Sequence, residues 1–271
     1  MGIMTLKVIA YARNGHTDKF GIPRQSREES PILTRIVFEP EYRVKEALRG
    51  IEGYSHLWLV WGFSELCSLT ADAVGPSDDC KTADAVGPSD DCKTQAGPAV
   101  GLSWSPTVRP PRLGGNKRMG VFATRSPYRP NPIGLSSVRL VEVTPEGDLI
   151  VSGADVLDGT PIYDIKPYLS FSDCHEDASN GFAEGTKGYS LKVDWGAFGS
   201  KKEAQKSEEE CIKEDLEYIL SQDPRPGYQD DPEREYKLDY KGWTVTFKVR
   251  GDTVLVLKIA KLNKISESTN L

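Results

Sequence analysis

At 271 residues, the chain is long enough for one large domain or for one domain with a smaller companion, and its hydrophobic content of 38% supports a buried core. Its apolar stretches fall short of the roughly 18 residues that suggest a membrane span, and its five cysteines form no C-x-x-C pair, so neither a disulfide framework nor a zinc knuckle is indicated. The formal net charge of -6 excludes a protein that coats nucleic acid with a uniformly basic surface.

Strand-like runs dominate the N-terminal part of the chain. The segments from Leu6 to Ala12 and from Arg35 to Phe38 have strand character, and a short helix is predicted from Tyr42 to Leu48. The aromatic run from His56 to Phe63 has the length and composition of a buried central strand. Because the first residues lack the charged-then-apolar pattern of a secretory leader, we expect a cytoplasmic protein.

An internal duplication follows the aromatic run. Residues 70–81 recur without change as residues 82–93. A solenoid needs several repeats with a hydrophobic face, and this unit has almost no apolar content. We therefore expect an insertion in a surface loop, outside the catalytic machinery; a metal site at its paired aspartates is a weaker alternative.

The run from Gly120 to Leu135 is rich in arginine, proline and glycine. Proline fixes its own φ angle and disfavours a helix at the residue before it, so we expect a rigid, non-helical loop. Strand-like segments, Val121 to Thr124 and Ser137 to Val143, are predicted to hold its two ends. No Asp or Glu occurs between Cys92 and Val141, a span whose basic residues are Lys93, Arg109, Arg112, Lys117, Arg118, Arg125, Arg129 and Arg139. This segment predicts a local anion site, unless carboxylates from elsewhere pair with its arginines.

The C-terminal half contains a turn, a linker and a small appendage. Asp158 to Pro161 has turn chemistry, and the pattern fades into a linker over residues 173–206. An acidic amphipathic helix is predicted from Glu208 to Leu220, followed by a hairpin of Val245–Val249 and Thr253–Ile259. The predicted fold is mainly β (α+β): a β-barrel or sandwich with a short helix over residues 1–172, and a small αββ domain over residues 207–271.

Sequence signatures of several enzyme classes are missing. The chain has no G-x-G-x-x-G motif after a strand, no Walker loop, no G-x-S-x-G motif and no cysteine-protease signature. Its distinctive residues are hydrogen-bond donors and turn formers. That pattern favours a protein that binds and orients a substrate whose reactivity comes from a cofactor.

The segment from Arg125 to Leu135 closely resembles the signature of the TrmO family, also known as YaeB or TsaA-like proteins. Four further segments agree in order: residues 19–25, 53–58, 155–168 and 223–228. The resemblance implies an S-adenosylmethionine-dependent tRNA methyltransferase that acts on the exocyclic nitrogen of threonylcarbamoyladenosine beside the anticodon. It also implies a small antiparallel β-barrel, a small C-terminal domain, and a homodimer whose cofactor site lies close to the subunit contact.

The resemblance further implies a set of cofactor-binding residues. Arg24 is suited to the methionine carboxylate, Leu135 to an apolar wall, and Asp158 to ribose hydroxyls. The full set comprises Pro23, Arg24, Gln25, His56, Leu57, Arg125, Leu135, Asp158, Gly159, Thr160 and Pro161. A buried core histidine and an ordinary hairpin turn are the plainer interpretations of His56 and of the Asp158 turn.

Chemistry rather than resemblance suggests the remaining roles. We assign Arg129 to a phosphate or to the threonyl carboxylate of the substrate, and Asn131 to orienting the target base, with a loop-bracing hydrogen bond as its alternative. Tyr128, Asp155 and Asp164 are three candidates for accepting the proton that the target nitrogen loses.

Two other functions compete with tRNA methylation. One is a noncatalytic barrel that binds a nucleotide-like metabolite or RNA. The other keeps the cofactor but uses a different acceptor, either another RNA base or a small molecule.

Overall fold

The computed structural model describes residues 5–23, 30–63, 104–110, 117–186, 190–199, 208–225 and 231–262. The duplicated segment 70–93 and the predicted cofactor residues Arg24 and Gln25 lie outside these ranges. The described strands are β1 (Ala10–Arg13), β2 (Leu33–Phe38), β3 (His56–Gly62), β4 (Thr107–Val108), β5 (Met119–Gly120), β6 (Ile133–Val143), β7 (Leu149–Ser152), β8 (Pro161–Pro167), β9 (Lys192–Asp194), β10 (Tyr236–Tyr240), β11 (Trp243–Arg250) and β12 (Thr253–Lys261).

Helices are short in the described ranges. The α-helices are α1 (Ser170–Asp173) and α2 (Glu208–Ser221), and the 3-10 helices are Lys45–Leu48, Ile51–Gly53, Val121–Ala123, Gly181–Thr186 and Gly196–Gly199. The strand-like lead-in predicted at Val121–Thr124 is wrong, because a 3-10 turn occupies it. No helix that the structure describes is long and apolar enough to cross a membrane.

The N-terminal body is a closed antiparallel barrel with strand order β1-β2-β7-β6-β3-β8. Pairing of Ala10 with Ile162 and of Tyr11 with Pro161 joins β8 to β1 and closes it. Side chains alternate across the wall, so Leu57, Leu59 and Trp61 of β3 face the interior. The mainly β prediction and the barrel alternative are confirmed.

The registers define two ends of this barrel. At one end, β1 and β3 finish at Arg13 and Gly62, next to the starts of β6 and β8 at Ile133 and Pro161. We call this the loop end, because the arginine-rich loop leads into β6 there. His56 begins β3 at the opposite end, which we call the far end.

Trp61 closes the interior at the loop end. Its ring lies over Gly134, where a Cβ would overlap the indole. Its Nε1–H donates to Ser136 Oγ at 2.8 Å, and that hydroxyl donates to a carboxylate oxygen of Asp155. Glycine at position 134 therefore leaves space for the Trp61 indole. The indole N–H, although buried, has a hydrogen-bond acceptor in Ser136.

The C-terminal domain is a four-stranded sheet of order β10-β11-β12-β9 with α2. The predicted helix and hairpin are confirmed as its central part. β10 adds a third antiparallel strand, and β9 pairs in parallel with β12. β9 lies inside the range predicted to be a linker, because three residues are too few for a hydrophobic period to be recognised.

The N-terminal segment before β2 packs against this sheet. Phe20 and Ile32 belong to the same apolar cluster as Leu238 and Phe247 of the sheet. His16 is 3% exposed, with its ring centroid 5.3 Å from that of Tyr240. Its Nε2 has no hydrogen-bond partner among the described residues. Burial lowers the pKa of His16 from 6.5 to about 4; Asp215 opposes this shift and Lys241 adds to it.

We predict that Ser136→Ala lowers the free energy of unfolding by about 1–3 kcal/mol, because the buried indole N–H of Trp61 loses its acceptor. Urea unfolding followed by tryptophan fluorescence measures the loss. Ser137→Ala is the matched control: Ser137 is the next residue of β6, faces outward, and is expected to cost under about 0.5 kcal/mol. Equal effects of the two changes would contradict the role given to the Ser136 hydroxyl.

We also predict a pH dependence from His16. Between about pH 6.5 and about pH 4, the unfolded chain binds a proton at this histidine that the folded chain excludes. The free energy of unfolding therefore falls as the pH falls through this window, by at most about 3 kcal/mol.

Urea unfolding of the wild type and of His16→Gln at pH 7 and pH 4.5 checks this prediction. The variant is expected to lose less stability on acidification, whereas His175→Gln, a change at an exposed histidine, keeps the wild-type slope. A wild-type slope in His16→Gln would show that other groups carry the pH dependence.

Candidate functional site

Backbone hydrogen bonds hold the arginine-rich loop, both within the loop and to neighbouring segments. The Val121 N–H donates to the Pro106 carbonyl at 2.9 Å, and the Arg129 N–H donates to the Pro127 carbonyl at 2.7 Å. The Phe63 N–H, just after β3, donates to the Pro132 carbonyl at 3.1 Å. The predicted non-helical loop is confirmed over residues 124–132, between the 3-10 turn Val121–Ala123 and the start of β6 at Ile133, and it lies at the loop end of the barrel.

Arginine side chains serve this loop in different ways. The Nη2 atom of Arg129 donates to the carbonyls of Val121 and Thr124 at 3.4 and 3.3 Å, so this guanidinium braces its own loop. Arg125 is exposed, as is Tyr128 with 46% of its surface. Asn131 is also exposed, and no described residue hydrogen-bonds its side chain. Arg129 thus contributes to bracing this loop, and the role of Asn131 stays a prediction.

The Asp158 turn lies at the same end and is tied to the end of β1. The Asp158 N–H donates to the His16 carbonyl at 2.9 Å, and the Gly159 N–H donates to the Ala12 carbonyl at 2.8 Å. Gly159 has φ +79°, a backbone conformation that suits glycine. Thr160 and Pro161 are buried, so Asp158 is the side chain that this turn exposes.

Two neighbours orient the Asp158 carboxylate. The backbone N–H of Asn14 donates to its Oδ1 at 2.9 Å, and Arg13 Nη1 lies 3.5 Å from its Oδ2. Each oxygen of an ionised carboxylate has two acceptor positions, so both keep capacity for a further donor. The turn thus presents a pre-oriented hydrogen-bond acceptor to solvent.

Leu135 extends the loop end onto the outer wall. It pairs with Val60 of β3 and is 55% exposed, and its outward neighbour Ile133 is 37% exposed. An apolar strip on β6 therefore begins where the arginine-rich loop ends.

His56 and Leu57 are not brought to this end within one chain. Six residue steps separate His56 from Gly62, or about 20 Å at a rise of about 3.3 Å per residue. His56 Nδ1 lies 2.8 Å from Ser55 Oγ. Leu57 is fully buried in the barrel core, and its backbone lies between β6 and β8, where it pairs with Val138 and Pro167.

An aromatic cluster around His56 was missed by sequence reasoning. Trp58 donates its Nε1–H to Asp173 Oδ2 at 2.7 Å, and the Leu169 N–H donates to the same oxygen at 3.0 Å. The Leu169 and then the Trp58 hydrogen bond lower the pKa of Asp173. Tyr168 packs against both Trp58 and His56, at centroid distances of 5.5 and 6.1 Å. The only sequence signal for this cluster is the aromatic run of β3.

The three candidate proton acceptors lie in different surroundings. Asp155 accepts from Ser136 beneath the loop end. Asp164 pairs with Val60 on the outward face of the wall, and Lys166 Nζ lies 2.9 Å from its carboxylate. Tyr128 belongs to the arginine-rich loop itself. Asp155 and Tyr128 are therefore the two that share the loop end with the Asp158 turn.

Two protein-family models match the sequence of this chain. The family model for the tRNA-methyltransferase O N-terminal domain matches residues 11–83 and 92–174, and the model for the TrmO C-terminal domain matches residues 189–262. The break in the first match falls inside the duplicated segment. The two matches cover the barrel strands and the C-terminal sheet.

Curated relatives and solved structures indicate the same family. The tRNA (adenine(37)-N6)-methyltransferase of Escherichia coli K12 is 34% identical over 257 residues, which are 92% of this chain and 93% of the relative. A protein of the same name from Eikenella corrodens is 46% identical over 159 residues, 58% of this chain and 88% of the relative. A crystal structure of TrmO from Pseudomonas aeruginosa superposes with a TM-score of 0.66 at 29% identity, covering 96% of this chain and 98% of that one. The chain belongs to the tRNA-methyltransferase O family.

Proposed function

We propose that this protein transfers a methyl group from S-adenosylmethionine to the exocyclic nitrogen of threonylcarbamoyladenosine beside the anticodon of tRNA. Relatives that match most of the chain are named tRNA (adenine(37)-N6)-methyltransferase. The observation that carries the proposal is the pre-oriented Asp158 carboxylate at the same barrel end as the braced, arginine-rich loop. The proposal includes a cytoplasmic location, which a tRNA substrate supports.

Three kinds of group at the loop end support cofactor binding there: an acceptor, an apolar surface and a positive charge. Asp158 is exposed, held by Asn14 and Arg13, and suited to accept from ribose hydroxyls. Exposed Leu135 offers an apolar wall and Arg125 a positive charge. When bound, S-adenosylmethionine supplies an electrophilic methyl group. Pro23, Arg24 and Gln25 complete the proposed set, with Gly159, Thr160 and Pro161 shaping the turn and His56 and Leu57 contributing from the far end.

The chain's own residues orient the acceptor and take its proton. Asn131 presents an exposed amide to the target base, and Arg129 stiffens the loop that carries it while offering charge to a phosphate or to the threonyl carboxylate. Asp155 or Tyr128 accepts the proton, since both belong to the loop end. Holding the acceptor in line with the methyl group is worth several kcal/mol of the barrier.

The proposal includes a homodimer. The outer face of β3 and β6 exposes Ile133 and Leu135 beside Val60, an apolar strip of the kind that protein contacts cover. A twofold contact that sets the strands head to tail brings the far end of one subunit beside the loop end of the other. Such a contact places His56 of one subunit beside the loop-end residues of the other subunit.

We predict that purified protein transfers labelled methyl from S-adenosylmethionine to tRNA that carries threonylcarbamoyladenosine, and not to tRNA from a strain that lacks this modification. Arg125→Ala is expected to lower the rate ten- to a hundredfold, the effect of losing one charged hydrogen-bond donor. Arg49→Ala, at an exposed arginine just after the 3-10 helix Lys45–Leu48, is the matched control and is expected to retain full activity.

Label in both tRNAs would show that the methyl acceptor is a base other than threonylcarbamoyladenosine. Cofactor binding without transfer to either tRNA would favour a different acceptor. Absence of cofactor binding would favour the noncatalytic nucleotide- or RNA-binding barrel.

We predict that Ile133→Asp converts the dimer to a monomer, because a carboxylate within the apolar strip is desolvated without a partner. Analytical ultracentrifugation measures the mass. Leu257→Asp, at an exposed leucine of β12, serves as the matched control and is expected to sediment like the wild type. A wild-type monomer, or a dimer that survives Ile133→Asp, would reject this contact.

A further inference from the structure

The segment Asn14–Gly15–His16 joins the Asp158 turn to the C-terminal sheet, and we call it the strap. On one side, the Asn14 N–H donates to Asp158 Oδ1 at 2.9 Å, and the His16 carbonyl accepts from the Asp158 N–H at 2.9 Å. These two bonds hold both the carboxylate and the backbone of the proposed ribose-binding residue. The position of Asp158 therefore follows the position of the strap.

On the other side, the strap rests on the turn between β10 and β11. The Lys241 N–H donates to the Gly15 carbonyl at 3.2 Å, and the His16 ring packs against Tyr240. A Cβ at Gly15 would lie 2.7 Å from Cε2 of Tyr240. That ring is 1% exposed and its hydroxyl donates to Asp215 at 2.9 Å, so it has no room to retreat.

The side chain of Asn14 fixes the shape of the strap itself. Its Nδ2 donates to the Val156 carbonyl at 2.9 Å and to Thr34 Oγ1 at 3.3 Å. Its Oδ1 accepts from the His16 N–H at 2.9 Å. One amide thus connects the end of β1, the start of β2 and the loop before Asp158.

We propose that the strap is a positioning element through which the C-terminal sheet holds Asp158 in its cofactor-binding orientation. The inference rests on the proposed function, which makes Asp158 a cofactor ligand. It assigns the C-terminal domain a part in binding the cofactor, besides any contact that it makes with RNA. Asn14 and Gly15 are the positioning residues, and neither touches substrate in this role.

The test is Gly15→Ala in the full-length protein, with Gly53→Ala as the matched control, since a Cβ at Gly53 meets nothing within 4 Å. Calorimetric titration gives the affinity for S-adenosylmethionine, and methyl-transfer kinetics give separate KM values for the cofactor and for tRNA carrying threonylcarbamoyladenosine. We expect Gly15→Ala to weaken cofactor affinity about tenfold, since a hydrogen bond to a charged acceptor is at stake, and to leave the KM for tRNA unchanged. Gly53→Ala changes neither quantity.

Two further variants test the positioning role if Gly15→Ala does not fold and test whether it acts through Asp158. If Gly15→Ala fails to fold, Asn14→Ala replaces it with the same expectation, because it removes the bonds that shape the strap and keeps the backbone N–H. Combining either change with Asp158→Ala tests the route: if the strap acts through Asp158, the double variant binds the cofactor no more weakly than Asp158→Ala alone.

The outcomes separate the strap from the proposed function. Unchanged cofactor affinity, or a raised KM for tRNA alone, overturns the positioning role. Additive losses in the double variant overturn the route through Asp158. Wild-type protein that binds S-adenosylmethionine but methylates neither tRNA contradicts the proposed acceptor, while the cofactor titrations still decide the role of the strap.

Discussion

Closure of the barrel between β1 and β8 is the contact on which the rest of the molecule depends. Ala10 pairs with Ile162 and Tyr11 with Pro161, which sets the end of β1 beside the start of β8. Because the two strands are antiparallel, the chain after β1 and the turn before β8 have to meet at one end. The same closure removes the sheet edges that would otherwise remain unpaired on both strands. Fold stability and the placement of Asp158 thus have one origin.

Local features of this fold were predictable from the sequence. Prolines around Tyr128 predicted a non-helical loop, and Asp158–Gly159 predicted a turn, because backbone preference acts over one or two residues. The aromatic β3 followed from its composition. The parallel partner β9 did not, because its three residues pair with β12 through contacts that no local pattern encodes.

Assembly of the candidate site was harder to predict than its components. The family resemblance groups His56 with Asp158 in one cofactor-binding set, yet the register of β3 separates them along the length of a strand. Register is a tertiary property, set by which strands pair and by the bulge between Val60 and Trp61. Asn14 was overlooked for a similar reason: its amide meets Val156 and Thr34 only after the barrel has closed.

The two apolar cores have a consequence for the order in which the protein matures. Every residue of the barrel core precedes α1 in the chain, whereas the sheet core unites Phe20 and Ile32 with residues from Leu191 onward. On the ribosome, the barrel can therefore close while the C-terminal sheet is still being synthesised, since chains emerge N-terminus first. Tyr240 and Lys241, which the strap contacts, emerge from the ribosome much later. Under the proposed role of the strap, a nascent or C-terminally truncated barrel would lack the contacts at Tyr240 and Lys241 that position Asp158.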